Sequence, residues 1–302
     1  MDIGPGDEVI ISDFTHPATG NIVQWIGATP VLVDVDPSTY NIDPNQTKKA
    51  ITRKTRCIVP VSWGGNPLDM KPLNELGRKH NLHIIEDAAC SLGARFHNQK
   101  TGTMADITCF SFHPRKVITC GEGGMAVTDN PTYADRLAKL KFFGIQTKNG
   151  RIEFVQWGTN SKLSNIASAI GVEQMKKIDT IINRRIELAG NYDRLLADIE
   201  GVRTPQRRNN TRHTYQTYAV YIEKPDERDK IIEDLKKKNI ETQIGTYALH
   251  LQPAYRKVRK IAKLENAEQL YKNLLALPMC HTMTQQDQQR VVSEIKKSLQ
   301  AA

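Results

Sequence analysis

The sequence predicts an α/β fold, in which a largely parallel β-sheet covered by helices is followed by a smaller α+β domain. Short β-branched runs alternate with helical stretches through residue 130, a rhythm typical of α/β proteins. Several runs, such as residues 56–63, are apolar at consecutive positions, which indicates strands buried on both faces of a parallel sheet. Functional groups are then expected at the carboxyl ends of the strands, where open α/β sheets bind ligands.

The elements follow in order along the chain. Strands are predicted at residues 8–13, 30–36, 56–63, 82–87, 107–112 and 124–129. From about residue 163 a helical period carries the chain away from the sheet, marked by Ile166, Ile170, Met175, Ile178, Ile182 and Ile186. We therefore divide the chain into a large domain, residues 1–180, and a small carboxyl-terminal domain, residues 181–302. The small domain is predicted to contain a strand at residues 216–223 and helices at residues 227–238 and 285–299, the last capped by Thr284.

The composition indicates a chain that forms a hydrophobic core. Its 302 residues are 39% hydrophobic, which excludes disordered, collagen-like and mucin-like proteins. No apolar run approaches the roughly 18 residues that a membrane span requires, and Met1 precedes Asp2 rather than a basic and then apolar signal sequence. We expect a cytoplasmic protein that has no membrane partner.

The cysteines give no sign of a metal or redox site. Their number, five, is odd, and they show no paired CxxC spacing. We therefore predict reduced, mostly buried thiols and no bound metal.

The net charge of +9 raises the alternative of nucleic-acid binding, because the basic excess is concentrated in the carboxyl-terminal half. The basic stretches are residues 207–213, 236–238 and 256–260. They are interleaved with acidic residues on helices and lack stacking aromatic side chains, which favours solvated basic faces and no nucleic-acid partner. An anionic small substrate would explain the sign of the charge equally well.

Asp87 ends the apolar run at residues 82–87, so a strand delivers its carboxylate to the ligand-binding edge of the sheet. A cap or an ion pair for the following turn would explain the same position. Glu86, one residue earlier, is expected to point to the opposite face.

Lys116 lies just after the strand at residues 107–112, in a turn-rich stretch that ends in GEGG. With Arg115 beside it, a simple basic loop is one interpretation. A lysine flanked by small and apolar residues near a strand-end carboxylate also suits an amine whose pKa must fall before it attacks a carbonyl group. The glycines of GEGG would allow a planar ligand to approach the backbone closely.

Taken together, these segments resemble a known family. The ordered set GDEVIISDFTHPAT, GATPVLVDVDPSTYNIDP, EDAACSLGA, FSFHPRKVITCGEGGMAVTDNP, GTNSKLSNIASAIG, HLQPAY and ALPM is similar to the DegT/DnrJ/StrS family of pyridoxal-phosphate sugar aminotransferases. The resemblance covers essentially the whole chain. It implies the fold type I aminotransferase architecture, with a mostly parallel seven-stranded sheet in a large cofactor-binding domain.

The resemblance assigns the two central roles. Lys116 matches the lysine that forms the internal aldimine with the cofactor and then shuttles the proton of the amino donor. Asp87 matches the carboxylate that pairs with the protonated pyridine nitrogen and so keeps the ring an electron sink.

Five further residues match positions around the cofactor. Ser111 matches a hydroxyl that binds the phosphate, and His16 falls where the family stacks a ring on the cofactor. Cys90 stands where many relatives have glutamine or histidine near the phenolic oxygen. A thiol is a poor substitute donor, and simple packing after the strand is the favoured interpretation of Cys90. Asn160 and Lys162 match a segment by which a neighbouring subunit reaches the phosphate, so a homodimer with shared active sites is expected.

The reaction implied is transfer of an amino group, with glutamate as the usual donor, to a keto group on a nucleotide-linked sugar. Relatives that remove a hydroxyl instead carry histidine in place of the lysine, so Lys116 favours transamination. Three residues lie in segments that face the sugar nucleotide in relatives: His213, Tyr247 and His250. For His250 a packed surface histidine is the favoured interpretation.

The resemblance fails at the beginning of the chain. Relatives place a further strand, a phosphate-binding loop with Ser, Gly and Thr, and a helix before the segment GPGDEVI with which this sequence starts. Two explanations stay open: the start is internal to a longer natural protein, or the chain is a fragment with weakened cofactor affinity and exposed apolar surface. A catalytically silent member with a binding or regulatory role is therefore the alternative function.

Overall fold

The structure is a computed structural model that describes residues 1–300. Its helices are α1 Pro17–Trp25, α2 Pro44–Ala50, α3 Met70–His80, α4 Pro131–Leu140, α5 Asn165–Met175, α6 Ile178–Leu196, α7 Pro225–Lys237, α8 Glu265–Asn273 and α9 Gln285–Gln300. The strands of the first half are β1 Glu8–Ser12, β2 Phe14–Thr15, β3 Thr29–Val33, β4 Thr55–Val59, β5 His83–Asp87, β6 Arg95–Phe96, β7 Gln99–Lys100, β8 Ile107–Ser111 and β9 Gly124–Val127. Those of the second half are β10 Ile145–Lys148, β11 Arg151–Phe154, β12 Val202–Arg203, β13 Thr211–Arg212, β14 Tyr218–Ile222, β15 Gln243–Ile244, β16 Tyr247–Ala248, β17 Arg259–Lys260 and β18 Leu274–Leu277.

A seven-stranded sheet in the order β17-β3-β1-β4-β5-β8-β9 forms the centre of the molecule. Its strands are parallel except that β9 runs antiparallel to β8. Every residue of β1 is buried. Its side chains alternate between two apolar clusters, with Ile10 in one and Val9 and Ile11 in the other. The prediction of a mostly parallel sheet covered on both faces is therefore confirmed.

The second half of the chain builds a separate antiparallel sheet in the order β12-β14-β18-β15. An apolar cluster joins it to α6, α7 and α9, with Tyr192 and Tyr218 at its centre. The cap predicted at Thr284 is present, because Thr284 Oγ1 accepts from Asp287 N at 3.1 Å while Asp287 Oδ2 accepts from Thr284 N at 2.8 Å. Helix α6 crosses the boundary that we place at residue 180, and the division into two domains stays a prediction.

The helical stretch predicted from residue 163 is two helices rather than one. Helix α5 ends at Met175 and α6 begins at Ile178. Ile178 and Ile182 are buried, whereas Ile166 and Ile170 of α5 are exposed. The apolar period therefore marks core contacts in α6 but an uncovered helix face in α5.

Two parts of the chain hold most of the exposed large apolar side chains of residues 1–300, and the others are Met125, Leu140, Phe142, Phe143 and Tyr247. In α1 they are Ile22 and Trp25, followed by Ile26. The second part, which we call the 152–175 segment, has the exposed residues Ile152, Phe154, Val155, Trp157, Ile166, Ile170, Val172 and Met175, and Trp157 is 96% exposed. Monomeric proteins rarely leave so much apolar surface uncovered.

The cysteines depart in part from the prediction. All five are free, as expected, and Cys57 and Cys120 are buried. Cys90 is only partly exposed, but Cys109 and Cys280 are exposed, so the prediction of mostly buried thiols is wrong. Cys109 lies on β8 near the edge of the sheet, and Cys280 lies in the loop before α9, where neighbouring elements do not cover them.

None of the helices within residues 1–300 combines the length and apolar character that crossing a membrane requires.

Glu86 lies on β5 beside Asp87 and, as predicted, faces the opposite side of the sheet, where it is fully buried. Its carboxylate accepts from Ser62 Oγ at 2.7 Å and from Thr108 Oγ1 at 3.4 Å. Burial raises the pKa of Glu86, and these hydrogen bonds oppose the rise. Because the folded pKa is raised, the contribution of Glu86 to stability is fully present below its unfolded pKa and is lost as the pH rises through the folded value.

We expect Glu86→Gln to raise the melting temperature at neutral and alkaline pH, by roughly 2 °C for each ~1 kcal/mol of burial cost that it removes. The amide has nearly the shape of the carboxyl group and no charge to desolvate. Thermal unfolding followed by circular dichroism between pH 5 and 9 would measure the effect. The gain should shrink toward acidic pH, and a gain that is independent of pH would contradict the explanation.

Candidate active site

Asp87 ends β5 at the carboxyl edge of the central sheet, and neighbouring donors hold both of its oxygens. Oδ2 accepts from Thr19 Oγ1 at 2.7 Å, and Oδ1 accepts from Ala89 N at 3.1 Å. The second contact caps the following turn, as one interpretation of the sequence expected. Among residues 1–300, however, Asp87 makes no ion pair within 4.0 Å. Its carboxylate is therefore oriented by hydrogen bonds and is not paired with a cation of the described residues.

Lys116 lies in the turn after β8, and its side chain reaches the turn that follows Asp87. Lys116 Nζ is 3.4 Å from Cys90 Sγ. Burial raises the pKa of the Cys90 thiol; the Lys116 ammonium lowers it, and the Asp87 carboxylate raises it further. The charges of Lys116 and Asp87 both act on this thiol, so the two groups lie within electrostatic reach of Cys90. Arg115 is directed elsewhere, with its guanidinium 3.3 Å from Gln243 Oε1.

His16 lies at the amino terminus of α1 with its ring partly exposed, and its Nδ1 accepts from Ala18 N at 3.2 Å. Burial lowers the pKa of His16, as do the charges of Lys116 and His113, while Asp87 opposes the shift. The ring is therefore neutral at pH 7 and lies within electrostatic reach of both predicted catalytic groups.

Ser111 ends β8 and accepts a hydrogen bond from His113 N at 3.3 Å. Asn160 and Lys162 lie elsewhere in this single chain. Asn160 forms a β-bridge with Phe142, and Lys162 Nζ lies 3.6 Å from the centroid of the Phe142 ring. Neither of these contacts involves Lys116 or Asp87, and the role of Asn160 and Lys162 at a neighbouring subunit stays a prediction.

The three predicted substrate residues have different surroundings. His213 Nδ1 accepts from Tyr215 N at 2.8 Å, and burial together with Arg207 and Arg208 lowers the pKa of His213 to about 3, which keeps it neutral. The next residue, Thr214, donates through Oγ1 to the Cys90 carbonyl oxygen at 2.9 Å. This segment therefore lies beside Cys90, the residue that Lys116 contacts.

Tyr247 is partly exposed and pairs with Thr15 beside His16. His250 is largely buried: its ring contacts Asp13 Oδ2 at 2.6 Å and Glu268 Oε2 at 3.8 Å. Both ring nitrogens of His250 therefore face protein carboxylates, in agreement with a packed histidine.

Sequence reasoning missed the residues that orient the site. Thr19 Oγ1, which donates to Asp87, also contacts Thr15 Oγ1 at 3.2 Å. Thr15 ends β2, and Thr19 lies in the first turn of α1, so their contact depends on how the chain turns between the two elements. No sequence pattern pointed to Thr19 or to Thr214.

The glycines of GEGG are explained by the backbone. Gly121 and Gly123 have φ angles of +90° and +156°, and a Cβ at Gly124 would lie 2.8 Å from the Phe110 carbonyl oxygen. Residues with a Cβ atom disfavour positive φ angles, so the turn requires glycine at positions 121 and 123. The pairing of β9 with β8 requires glycine at position 124, because a Cβ there would be too close to Phe110.

Comparison with known proteins decides the family. The model of the DegT/DnrJ/EryC1/StrS aminotransferase family matches residues 1–296. The chain belongs to this family.

GDP-perosamine synthase of Caulobacter vibrioides, a relative from the same comparisons, is 36% identical over 302 residues, which cover 99% of this chain and 81% of that protein. Helicobacter pylori PseC, an aminotransferase involved in the biosynthesis of pseudoaminic acid, has a TM-score of 0.94 at 26% identity. The match covers 100% of this chain and 82% of PseC. The sugar aminotransferase Spr1654 of Streptococcus pneumoniae, solved in a PLP-form, has a TM-score of 0.91 at 25% identity. The match covers 99% of this chain and 82% of Spr1654. The predicted family, its fold and its cofactor, pyridoxal 5′-phosphate, are thereby confirmed.

The residues around Lys116 fit the cofactor of the DegT/DnrJ/EryC1/StrS family. Pyridoxal phosphate needs an amine, an anion for its ring nitrogen and polar groups for its phosphate. Lys116 supplies the amine and Asp87 an anion whose two oxygens are already oriented. The Ser111 hydroxyl lies at the end of β8, five residues before Lys116, and His16 offers a neutral ring. This donor set matches the requirement without a metal, and residues 1–300 hold no group of three or more metal ligands.

Proposed function

We propose that the chain is a pyridoxal-phosphate-dependent aminotransferase that converts a keto group on a nucleotide-linked sugar to an amine, with glutamate as the donor. The observation that supports the proposal is the position of Lys116, whose Nζ lies 3.4 Å from Cys90 Sγ in the turn that follows Asp87. Lysine at position 116, rather than histidine, favours amination over removal of a hydroxyl group.

Each residue has a defined task in this proposal. The cofactor, when bound, supplies an electron sink for the carbon from which a proton is removed. Lys116 would hold the cofactor through its Nζ, and the same Nζ would move the proton of the amino donor. Asp87, fixed by Thr19 and by the backbone at Ala89, holds a proton on the ring nitrogen. Ser111 binds the phosphate, and His16 covers one face of the ring.

The substrate class rests on the relatives and on charge. The similar proteins with assigned names include GDP-perosamine synthase and the PseC aminotransferase of pseudoaminic acid biosynthesis. A net charge of +9 suits a substrate that carries a diphosphate. The five free cysteines suit the reducing cytoplasm, which is the compartment that we propose.

The first test uses the visible absorbance of the protein after addition of pyridoxal phosphate. We expect a yellow protein whose absorbance bleaches with glutamate, because the amino group passes to the cofactor. Glutarate, which has the same two carboxylates but no amine, is the control and should leave the spectrum unchanged. Purified, cofactor-supplemented protein that shows neither colour nor bleaching would overturn the proposal.

We further propose a homodimer in which the 152–175 segment meets a second copy of the chain. The exposed apolar side chains of this segment flank Asn160 and Lys162, the residues expected to reach the neighbouring phosphate. Burial of exposed apolar area at roughly 25 cal/mol per Å² would favour association.

Trp157→Glu is expected to shift the dimer toward monomer, because it places a charge on the most exposed large apolar side chain of that segment. Sedimentation equilibrium measures the association, and cofactor affinity should fall together with it. Gln289→Glu adds the same charge on the exposed side of α9 and should leave the dimer intact. A Trp157→Glu protein that associates as tightly as the wild type would contradict this interface.

A further inference from the structure

Asp13, at the end of β1, is a fully buried carboxylate that the proposed chemistry does not use. Its hydrogen-bond partner is His250, which lies 237 residues further along the chain. His250 N donates to Asp13 Oδ1 at 2.8 Å, and His250 Nδ1 contacts Asp13 Oδ2 at 2.6 Å. Because a buried carboxylate needs compensating donors, this double contact satisfies Asp13 and places the proton of the ring on Nδ1.

The charged groups around the pair come from two elements, the end of β3 and helix α8. Burial raises the pKa of Asp13, His250 opposes the rise, and Asp34 at the end of β3 adds to it. On α8, Glu268 Oε2 lies 3.8 Å from His250 Nε2, and Glu268 Oε1 is bound by Lys272 Nζ at 2.6 Å. The Asp13 contact is thus the short and buried one, whereas the Glu268 contact is longer and more exposed.

The pair lies at one end of a path that leads to the cofactor pocket. The Asp13 carbonyl oxygen accepts from Leu249 N at 2.9 Å, and β2, which follows Asp13, pairs with β16, which precedes His250. Thr15 of β2 contacts Thr19, and Thr19 donates to Asp87. Each step is a direct contact between named groups.

We propose that His250 is a positioning residue for the cofactor. Through Asp13 it fixes β2 and the first turn of α1, and these elements set Thr19 against Asp87 and place His16 at the pocket. The inference rests on the proposed function, because the group being positioned is the carboxylate that we expect to hold the ring nitrogen.

Two amide variants test the proposal. The side-chain nitrogen of His250→Asn can occupy the place of Nδ1 and keep the bond to Asp13, whereas that of His250→Gln replaces Nε2 instead. We measure the dissociation constant of pyridoxal phosphate and the visible circular dichroism of the bound cofactor, which reports the orientation of the ring. His250→Asn should resemble the wild type. His250→Gln should bind on the order of tenfold more weakly with an altered dichroic band, because small displacements of a positioning group have effects of at least this size.

The other outcomes are also informative. Asn and Gln variants with the same cofactor affinity and the same band, whether normal or impaired, would overturn the proposal. A Gln variant that loses only thermal stability, or that fails to fold while the Asn variant folds, would assign the Asp13 contact to the fold alone and overturn it as well. Wild-type protein that develops no cofactor absorbance would instead refute the proposed function, and the positioning role with it.

Discussion

Lys116→Ala is expected to abolish transamination, with a loss of about 10⁴-fold or more, because it removes both the attachment point of the cofactor and the group that moves the proton. The adjacent cation, Arg115, is directed elsewhere, because its Nη1 donates to Gln243 Oε1 at 3.3 Å. Borohydride reduction of the cofactor-loaded wild type, followed by peptide mass spectrometry, should find the label on Lys116. The variant should show neither the label nor the visible band.

Arg115→Ala is the matched control for this prediction. It removes an adjacent cation from the same turn and should leave the labelling of Lys116 and the bleaching by glutamate unchanged. A wild-type label on another lysine would contradict the assignment.

Asp87→Asn is expected to lower the rate of transamination by several powers of ten, roughly 10³-fold or more. The amide keeps the size of the side chain but removes the negative charge that holds a proton on the ring nitrogen. The rate at which glutamate bleaches the loaded enzyme in a single turnover measures this step separately from product release. The effect should fall mainly on kcat, because substrate contacts are unchanged.

Glu86→Gln provides the comparison for Asp87→Asn within the same strand. It makes the same chemical change one residue earlier, on the face of the sheet that points away from Lys116, and should retain activity. Equal losses in the two variants would indicate that the substitutions act through β5 rather than through the cofactor.

The sequence predicted the central sheet well because burial on both faces leaves an unambiguous signal. All five residues of β1 are buried, and the corresponding apolar run is continuous. It also predicted that Asp87 and Glu86 face opposite ways, since side chains alternate along a strand.

Contacts between distant segments could not be predicted in this way. Asp13 and His250 meet only because β2 pairs with β16, and no local pattern specifies that pairing. The sequence did not predict that Ile166 on α5 is exposed. A helical apolar period indicates that one face of a helix is buried, but it does not indicate whether the same chain or another chain buries it. In the site, Lys116 and Asp87 were recognisable from their motifs, whereas Thr19 required the folded geometry.

The parallel pairing of β17 with β3 has a consequence for synthesis on the ribosome. Arg259 and Lys260 complete the edge of the central sheet beside Val31 and Leu32, so this edge stays open until most of the chain has been translated. Open strand edges template pairing between chains, and contacts so distant in sequence form slowly. Nascent chains that stall before residue 259 should therefore be the species most prone to aggregate and most dependent on chaperones.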